Sequence, residues 1–377
     1  MALYLDYAAT TPVRLEAAQA AVEVMTAGFG NPSSVYPLGK AAAQRRDADR
    51  EIIAKALGCA GDELFFTSCG TESNNWAIQA AVEANRRVGK HIITTAIEHS
   101  AVLEPVKRLA AQGYEVTYLK PDKTGRIDPA DLAAALREDT VLVSMMLVNN
   151  ELGTILPVKE AGQAIKARKN CQALFHVDAV QAFLKVPFTP DALGCDFLSL
   201  SAHKIMAPKG IGALYVRRAL QKKVKPLMLG GGQERGYRPG TEATAQIAAF
   251  AAAVAAWKPE GVEAMRAVKE YAADVLSAID GVEIITRGDA PHILPISVPA
   301  FSGQSLVQAL GSKEIYISSG SACHRGKPSH VFAAMPLSPK VRLGAARISF
   351  GPDSTTADVD ALADVLRDIC ARKSLMF

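Results

Sequence analysis

Residues 91–119 read HIITTAIEHSAVLEPVKRLAAQGYEVTYL, and this stretch decides the fold. His91 to Ala96 is a short β-branched run, the mark of a strand. From Ser100 to Gln112 the apolar residues Val102, Val106 and Leu109 recur at helical spacing and share one face. Gly113 stops that helix, and Tyr114 to Leu119 reads as a second strand. The rhythm continues outward. Val141 to Val148 is a continuous apolar run, Pro157 to Lys169 is helical, and Ala173–Val177, Phe197–Leu200 and Gly212–Val216 are short apolar strands. Buried strands separated by helices predict a three-layer α/β fold, with a mostly parallel sheet covered on both faces.

The rhythm changes near Trp257-Lys258-Pro259, where a long alanine-rich helix ends and another begins around Gly261. Strands at Val282–Ile285 and Ile293–Val298 follow, then a helix from Gly303, a strand around Ile315, a strand at Arg347–Phe350 and an amphipathic helix from Thr355. This reads as a smaller α+β domain. The expected division is a large domain over 13–258 and a small one made of 1–12 and 259–377.

The chain has 377 residues, 49% of them hydrophobic and 21% charged, which excludes wholesale disorder. Its net charge of +4 is too small a surplus to predict a nucleic-acid or membrane surface, so small molecules and proteins are the expected partners. Cysteines stand at 59, 69, 171, 195, 323 and 370, with no CxxC and no zinc spacing. The start, MALYLDYAATTP, has neither the basic opening nor the apolar stretch of a signal peptide. No apolar run has the length of a membrane helix. A cytoplasmic location with free thiols is the expectation. There is no GxGxxG after a strand, no GxxxxGK[ST] and no HExxH, so dinucleotide binding, P-loop hydrolysis and zinc proteolysis lose their strongest signals.

Five polar groups stand just past strand ends, where α/β sheets place ligands. Ser201-Ala202-His203-Lys204 follows the strand Phe197–Leu200. A lysine there either forms a Schiff base with an aldehyde cofactor or is an ordinary surface lysine. Asp178 ends the strand Ala173–Val177. Taken alone it reads first as a helix N-cap; the other reading is the anion beside a protonated pyridine nitrogen, with Gln181 in reach of a ring oxygen. Phe65 to Asn75 runs from a strand through small residues into a helix near Thr71. Such a helix start either is plainly capped or holds a phosphate. Glu98-His99-Ser100 offers an imidazole that can stack on a ring and move protons. Val148-Asn149-Asn150-Glu151 is the fifth group.

Taken together, the order phosphate turn, His, Asn, Asp, Lys resembles the fold-type I pyridoxal-phosphate enzymes of the class V aminotransferase superfamily. The chain is most similar to the NifS/IscS-like cysteine desulfurases, from Tyr4-Leu5-Asp6-Tyr7-Ala8-Ala9-Thr10-Thr11-Pro12 to the last helix. The resemblance implies that Lys204 tethers pyridoxal 5'-phosphate in the large domain. It puts Asp178 on the pyridine nitrogen, Gln181 on the ring oxygen and His99 on the ring face. It assigns Gly70, Thr71, Ser201 and His203 to the phosphate. Thr241, in Arg238-Pro239-Gly240-Thr241, would reach the phosphate of a partner subunit, which implies a homodimer. Asn149 and Arg347 would meet the substrate, with Arg347 forking onto its carboxylate. Arg342 is a competitor for that place; the Arg347-Ile348-Ser349-Phe350-Gly351 pattern favours Arg347.

Ser318-Ser319-Gly320-Ser321-Ala322-Cys323 decides between reactions. Cys323 sits among small, polar and basic neighbours (His324, Arg325 and Lys327 follow it), a setting that favours a thiolate. The resemblance then implies removal of sulfur from L-cysteine: Lys204 takes the α-proton, Cys323 attacks the substrate sulfur and keeps it as a persulfide, His99 serves proton transfer, and alanine leaves. No metal is expected. An iron–sulfur scaffold or a thiolation protein would receive the sulfur. A selenocysteine lyase or another class V enzyme is the alternative, and a scaffold without catalysis a more distant one. This chain departs from the family pattern in a loop about two residues shorter after Cys323, in Tyr36 where histidine is common, and in Cys69, read as packing near the phosphate turn.

Overall fold

The computed structural model describes residues 2–320 and 329–374. In chain order the strands are β1 (Leu3–Tyr4), β2 (Leu64–Thr67), β3 (His91–Thr95), β4 (Glu115–Leu119), β5 (Thr140–Met146), β6 (Leu174–Asp178), β7 (Phe197–Ser201), β8 (Gly212–Val216), β9 (Glu283–Ile284), β10 (Ile293–Ser297), β11 (Ile315–Tyr316) and β12 (Ala345–Ser349). Seven of them make the central sheet in the order β2-β8-β7-β6-β5-β3-β4. The run from β4 to β7 is parallel. β8 is antiparallel to both β7 and β2. The short connection from β7 to β8 explains that reversal, since a parallel crossover needs a dozen or more residues and usually a helix.

β3, β5, β6, β7 and β8 are buried along their whole lengths. That is why they read as continuous apolar runs without alternation. β4 lies at the edge and is half-buried, with Glu115 and Tyr118 facing outward, a charged edge of the kind that discourages further pairing. Helices α1 (Leu15–Thr26), α2 (Pro37–Leu57), α3 (Gly70–Ala84) and α4 (Ser100–Ala111) follow one another in the first part of the chain. α3 and α4 pack together, and α3 lies across β5 to β8. α1 and α2 pack against the helix Thr244–Ala255. Its buried Ala245, Ala248, Ala249, Ala251 and Ala253 let backbones approach closely.

The smaller layer is the antiparallel sheet β12-β10-β9, backed by the helices Pro259–Ser277 and Thr356–Ser374, which pack together. Leu5, Leu276, Ile296, Ile348, Phe350 and Leu362 form its core at 0–1% exposure; each such side chain is worth roughly 1.5–3 kcal/mol of burial. The chain start joins this layer: β1 pairs in parallel with β11, and Asp6 bridges to Ser349. Among the described residues no helix is long and apolar enough to cross a membrane.

Candidate active site

The parallel strands deliver their polar ends to one side of the sheet, and a cavity of about 320 Å³ opens there. β2 is antiparallel to β8, which is antiparallel to β7, so β2 points the same way as the parallel run. Its end therefore brings the start of α3 to the same cavity. Gly70, Thr71, His99, Asp178, Gln181, Ser201, His203, Lys204 and Arg347 all line it.

The first residue of α3 must be small. A Cβ built on Gly70 would come 2.8 Å from Val180 Cγ2 and 3.3 Å from Ser201 Cβ. The preceding Cys69 makes no side-chain cap, so the amides of the first turn face the space between α3 and the ends of β6 and β7. Asp178 is buried and doubly held: Asn74 Nδ2 donates to its Oδ2 at 2.7 Å and the Val180 amide to its Oδ1 at 3.0 Å. His99 caps α4, its Nδ1 accepting from the Ala101 amide at 3.1 Å. In the neutral ring the proton therefore sits on Nε2. Burial pushes the His99 pKa below the usual range, with Asp178 working against it.

The chain start is sewn onto the lysine segment. Thr11 donates to the His203 carbonyl through both its amide and its hydroxyl, and its Oγ1 accepts from the Met206 amide at 2.8 Å. Met206 is held at φ 64°, a left-handed conformation that such a residue adopts only when its surroundings impose it. This lays the Ala8 and Ala9 carbonyls against Lys204, whose Nζ donates to each at 2.7 Å. The Lys204 pKa is lowered to about 7, by burial first and the charge of Arg347 second, with Asp6 and Asp178 working against them. His203 is pushed down to about 3 by burial and then by nearby lysines, so it is a neutral ring near pH 7.

Arg347, on β12, crosses from the smaller layer into the cavity with only 3% of its surface exposed. Its Nη1 donates to the Asn150 carbonyl and its Nη2 to Asp6 Oδ1, both at 2.7 Å. A buried guanidinium whose Nε has no hydrogen-bond partner among the described residues suits recognition of a carboxylate.

Two expected site residues stand apart from the cavity. Asn149 is fully buried and turned away from it. Its Nδ2 donates to the Ile97 carbonyl, and its Oδ1 accepts from the Glu151 and Leu152 amides. Thr241 is exposed and outside the lining. Its segment is nonetheless tied to α3, because Arg238 Nε donates to Glu72 Oε1 at 2.9 Å. Cys323 lies outside the described residues. Cys69, read as packing, lines the cavity at the start of α3. Sequence reading missed Asp6, Asn74, Asn150 and His330, which also line it. His330 donates from Nε2 to the Glu98 carbonyl at 2.8 Å. Of these, Asp6, Asn74 and Asn150 stood inside quoted motifs.

A phosphorylated aldehyde cofactor fits these residues. The Gly70 cradle has no room for a side chain, free amides and hydroxyls line it, an anchored carboxylate stands deeper in, and a desolvated amine lies across from it. Among the described residues no cluster of His, Cys, Asp or Glu could hold a metal ion.

The aminotransferase class-V family model matches residues 3–362. A cysteine desulfurase IscS of Methanosarcina thermophila is 41% identical over 375 residues, covering 98% of this chain and 92% of that protein. A solved NifS-like protein superposes with a TM-score of 0.90 at 35% identity, covering 98% of this chain and all of the other. A solved structure described as SspA in complex with cysteine gives a TM-score of 0.83 at 34% identity, over 93% of this chain and 99% of that one.

Proposed function

The chain belongs to the aminotransferase class-V family, and from that premise we infer that it is a cysteine desulfurase, taking sulfur from L-cysteine and releasing L-alanine. The observation that carries this reading is the single cavity in which Lys204, Asp178, His99, the Gly70 turn and Arg347 meet. Pyridoxal 5'-phosphate is the proposed cofactor; when bound, its protonated ring supplies an electron sink for the substrate carbanion.

This chain's residues supply the rest. Lys204 is the tether, and with a pKa near 7 it is neutral often enough to act as nucleophile and then as base. Asp178 is the carboxylate for the pyridine nitrogen at the deep end, steadied by Asn74 and Val180. Gln181 donates to the ring oxygen, and His99 covers the ring. Gly70, Thr71, Ser201 and His203 hold the phosphate at the α3 start. Arg347 binds the substrate carboxylate, and Asn149 shapes the turn beside it. The Cys323 thiolate attacks the substrate sulfur; the S–S bond forms as the C–S bond breaks, and the carbon fragment takes up protons and leaves as alanine. Lys204 and His99 are the groups placed to move those protons.

The proposed assembly is a homodimer in which Thr241 serves the partner's phosphate. Leu15, Met25, Phe29, Val35 and Leu229 support it, each a large apolar side chain left 57–92% exposed that an interface would cover. We take 13–258 as the large unit and 1–12 with 259–377 as the small one, working in the cytoplasm and passing sulfur to an iron–sulfur scaffold or thiolation protein. The test is intact-mass analysis after incubation with L-cysteine. The peptide containing Cys323 should gain about 32 Da, one sulfur atom. Cys323→Ala should keep the cofactor's colour and bind cysteine yet release no sulfide. Full sulfide and alanine production by that variant refutes the assignment.

A further inference from the structure

We propose that His292, at the head of β10 in the smaller layer, is a positioning residue for the cofactor site: its Nε2–H locks the amide of Gln181 with the NH2 group turned to the cavity side. This rests on the cofactor reading above and assigns a residue that the reading leaves out.

The polarity of one hydrogen-bond chain carries the argument. Ala8 presents a carbonyl, which only accepts. The Gln181 atom facing it at 2.9 Å must therefore be Nε2. That places Oε1 toward His292 Nε2, 3.2 Å away. An amide oxygen only accepts, so the imidazole must carry its proton on Nε2 and donate. The opposite tautomer would set two acceptors against each other and leave a buried Nδ1–H with no partner. With the proton on Nε2, the atom without a partner among the described residues is a bare Nδ1.

The surroundings keep His292 in that state. It is fully buried, its carbonyl accepts from the Phe350 amide at 2.9 Å, and it directly precedes the central strand of its sheet. The titratable groups that act on it are Lys185, Arg347, Lys269 and Lys204, all of them basic. Burial first and these charges second hold its pKa well below the usual histidine value. It stays neutral, a single N–H donor, across the working range. The chain continues past Gln181, because Lys204 Nζ donates to the same Ala8 carbonyl at 2.7 Å. His292, Gln181, Ala8 and Lys204 are thus linked in one row, from the small sheet to the tethering amine.

Removing the donor leaves Gln181 Oε1 buried and unpaired, a costly state; the amide is then held only by its bond to the Ala8 carbonyl and can swing about that one contact, away from the cofactor. Gln181 then stops donating to the cofactor ring oxygen. That oxygen becomes more basic and holds the proton it shares with the lysine-bound nitrogen more tightly. The absorption change of the bound cofactor must move to higher pH.

The experiment is a spectroscopic pH titration of the holoenzyme without substrate. His292→Leu should raise the midpoint by about half a pH unit or more, the size expected for loss of one hydrogen bond. Gln181→Leu should raise it similarly, and the double variant no further. His292→Gln, whose amide reaches toward the same point, should restore most of the wild-type midpoint. A histidine that only fills space would lower Tm and leave the midpoint where it was; that result, or additive shifts in the double variant, overturns the proposal. Should His292→Leu fail to fold, a neutron map of the wild-type holoenzyme decides: a proton on Nε2 supports the proposal, and a proton on Nδ1 alone refutes it. If the wild type takes up no pyridoxal phosphate and shows no visible band, the cofactor reading itself has failed, an outcome distinct from both.

Discussion

Gly70→Ala tests the phosphate cradle with one carbon atom. The added Cβ would stand 2.8 Å from Val180 Cγ2 and 3.3 Å from Ser201 Cβ. Carbon atoms in contact prefer about 3.5–4.0 Å, so Val180 or the start of α3 must move by roughly 1 Å. Valine cannot swing aside cheaply, since its two γ-carbons restrict χ1. Overpacking of this kind costs about 1–3 kcal/mol. Against it stands a gain of about 0.4–1 kcal/mol from the stiffer unfolded chain, so the apo protein should lose at most about 2.6 kcal/mol. The cofactor should suffer more selectively. Displacing one charge-assisted hydrogen bond at the α3 amides costs about 1.5–3 kcal/mol, a rise of roughly 10- to 150-fold in Kd for pyridoxal phosphate. The assay is absorbance titration of apo enzyme with pyridoxal phosphate and, in parallel, with pyridoxal. Lacking the phosphate, pyridoxal should lose less than about threefold, because such a change is under 1 kcal/mol. Equal weakening of both ligands, or an unchanged Kd for pyridoxal phosphate, would show that the anion does not sit at Gly70.

Three further outcomes are expected. Arg347→Lys removes the two-pronged geometry that now spans the Asn150 carbonyl and Asp6; KM for cysteine should rise about 10- to 100-fold, or roughly 1.4–2.7 kcal/mol, with kcat falling less, and steady-state kinetics showing only a kcat loss would contradict the role. Because the Lys204 pKa is lowered to about 7, and only the neutral amine has a lone pair to offer, the rate of cofactor uptake by apo enzyme should climb with pH and level off above about 7, not near the ~10.4 of a free lysine; Asp6→Asn removes a charge that raises that pKa, so it should move the midpoint lower, and stopped-flow traces with a midpoint near 10 would refute the desolvated site. Phe29→Glu should turn a dimer into monomer by sedimentation and loosen the cofactor, whereas a dimer undisturbed by the change would place the interface elsewhere.

The fold was legible because its strands are short, apolar and buried on both faces. β3, β5, β6, β7 and β8 each lie where a continuous apolar run predicts a strand, to within a residue or two. What the runs could not show is direction. β8 is as apolar as its neighbours, yet it is antiparallel, because direction depends on the length and course of the 202–211 connection, not on the strand's own residues. α1 and α2 were invisible for a different reason. α1 leaves Leu15, Val22 and Met25 exposed, so its pattern has no clean apolar stripe, and the middle of α2, residues 44–51, is polar but for Ala48.

The site divides along the same line. Residues that follow a strand in the chain, such as Lys204, Asp178 and His99, could be found by looking past strand ends. Residues brought in by tertiary pairing could not. Asp6 reaches the cavity only because the chain start bridges to Ser349 on the strand that carries Arg347. Asn149 and Asn150 show the limit within one turn: the side chain of Asn149 folds back on the turn's own amides, while the carbonyl of Asn150 meets Arg347. Asp6 matters because it stands between two cations. It pairs with Arg347 and its charge also acts on Lys204. After burial, the charge of Arg347 is what most depresses the Lys204 pKa. A substrate carboxylate arriving at Arg347 offsets that charge. On the proposed function, the binding event that places the substrate would therefore also strengthen Lys204 as the base for the α-proton. Binding and proton transfer would then be coupled through one guanidinium, which Asp6 holds by its ion pair.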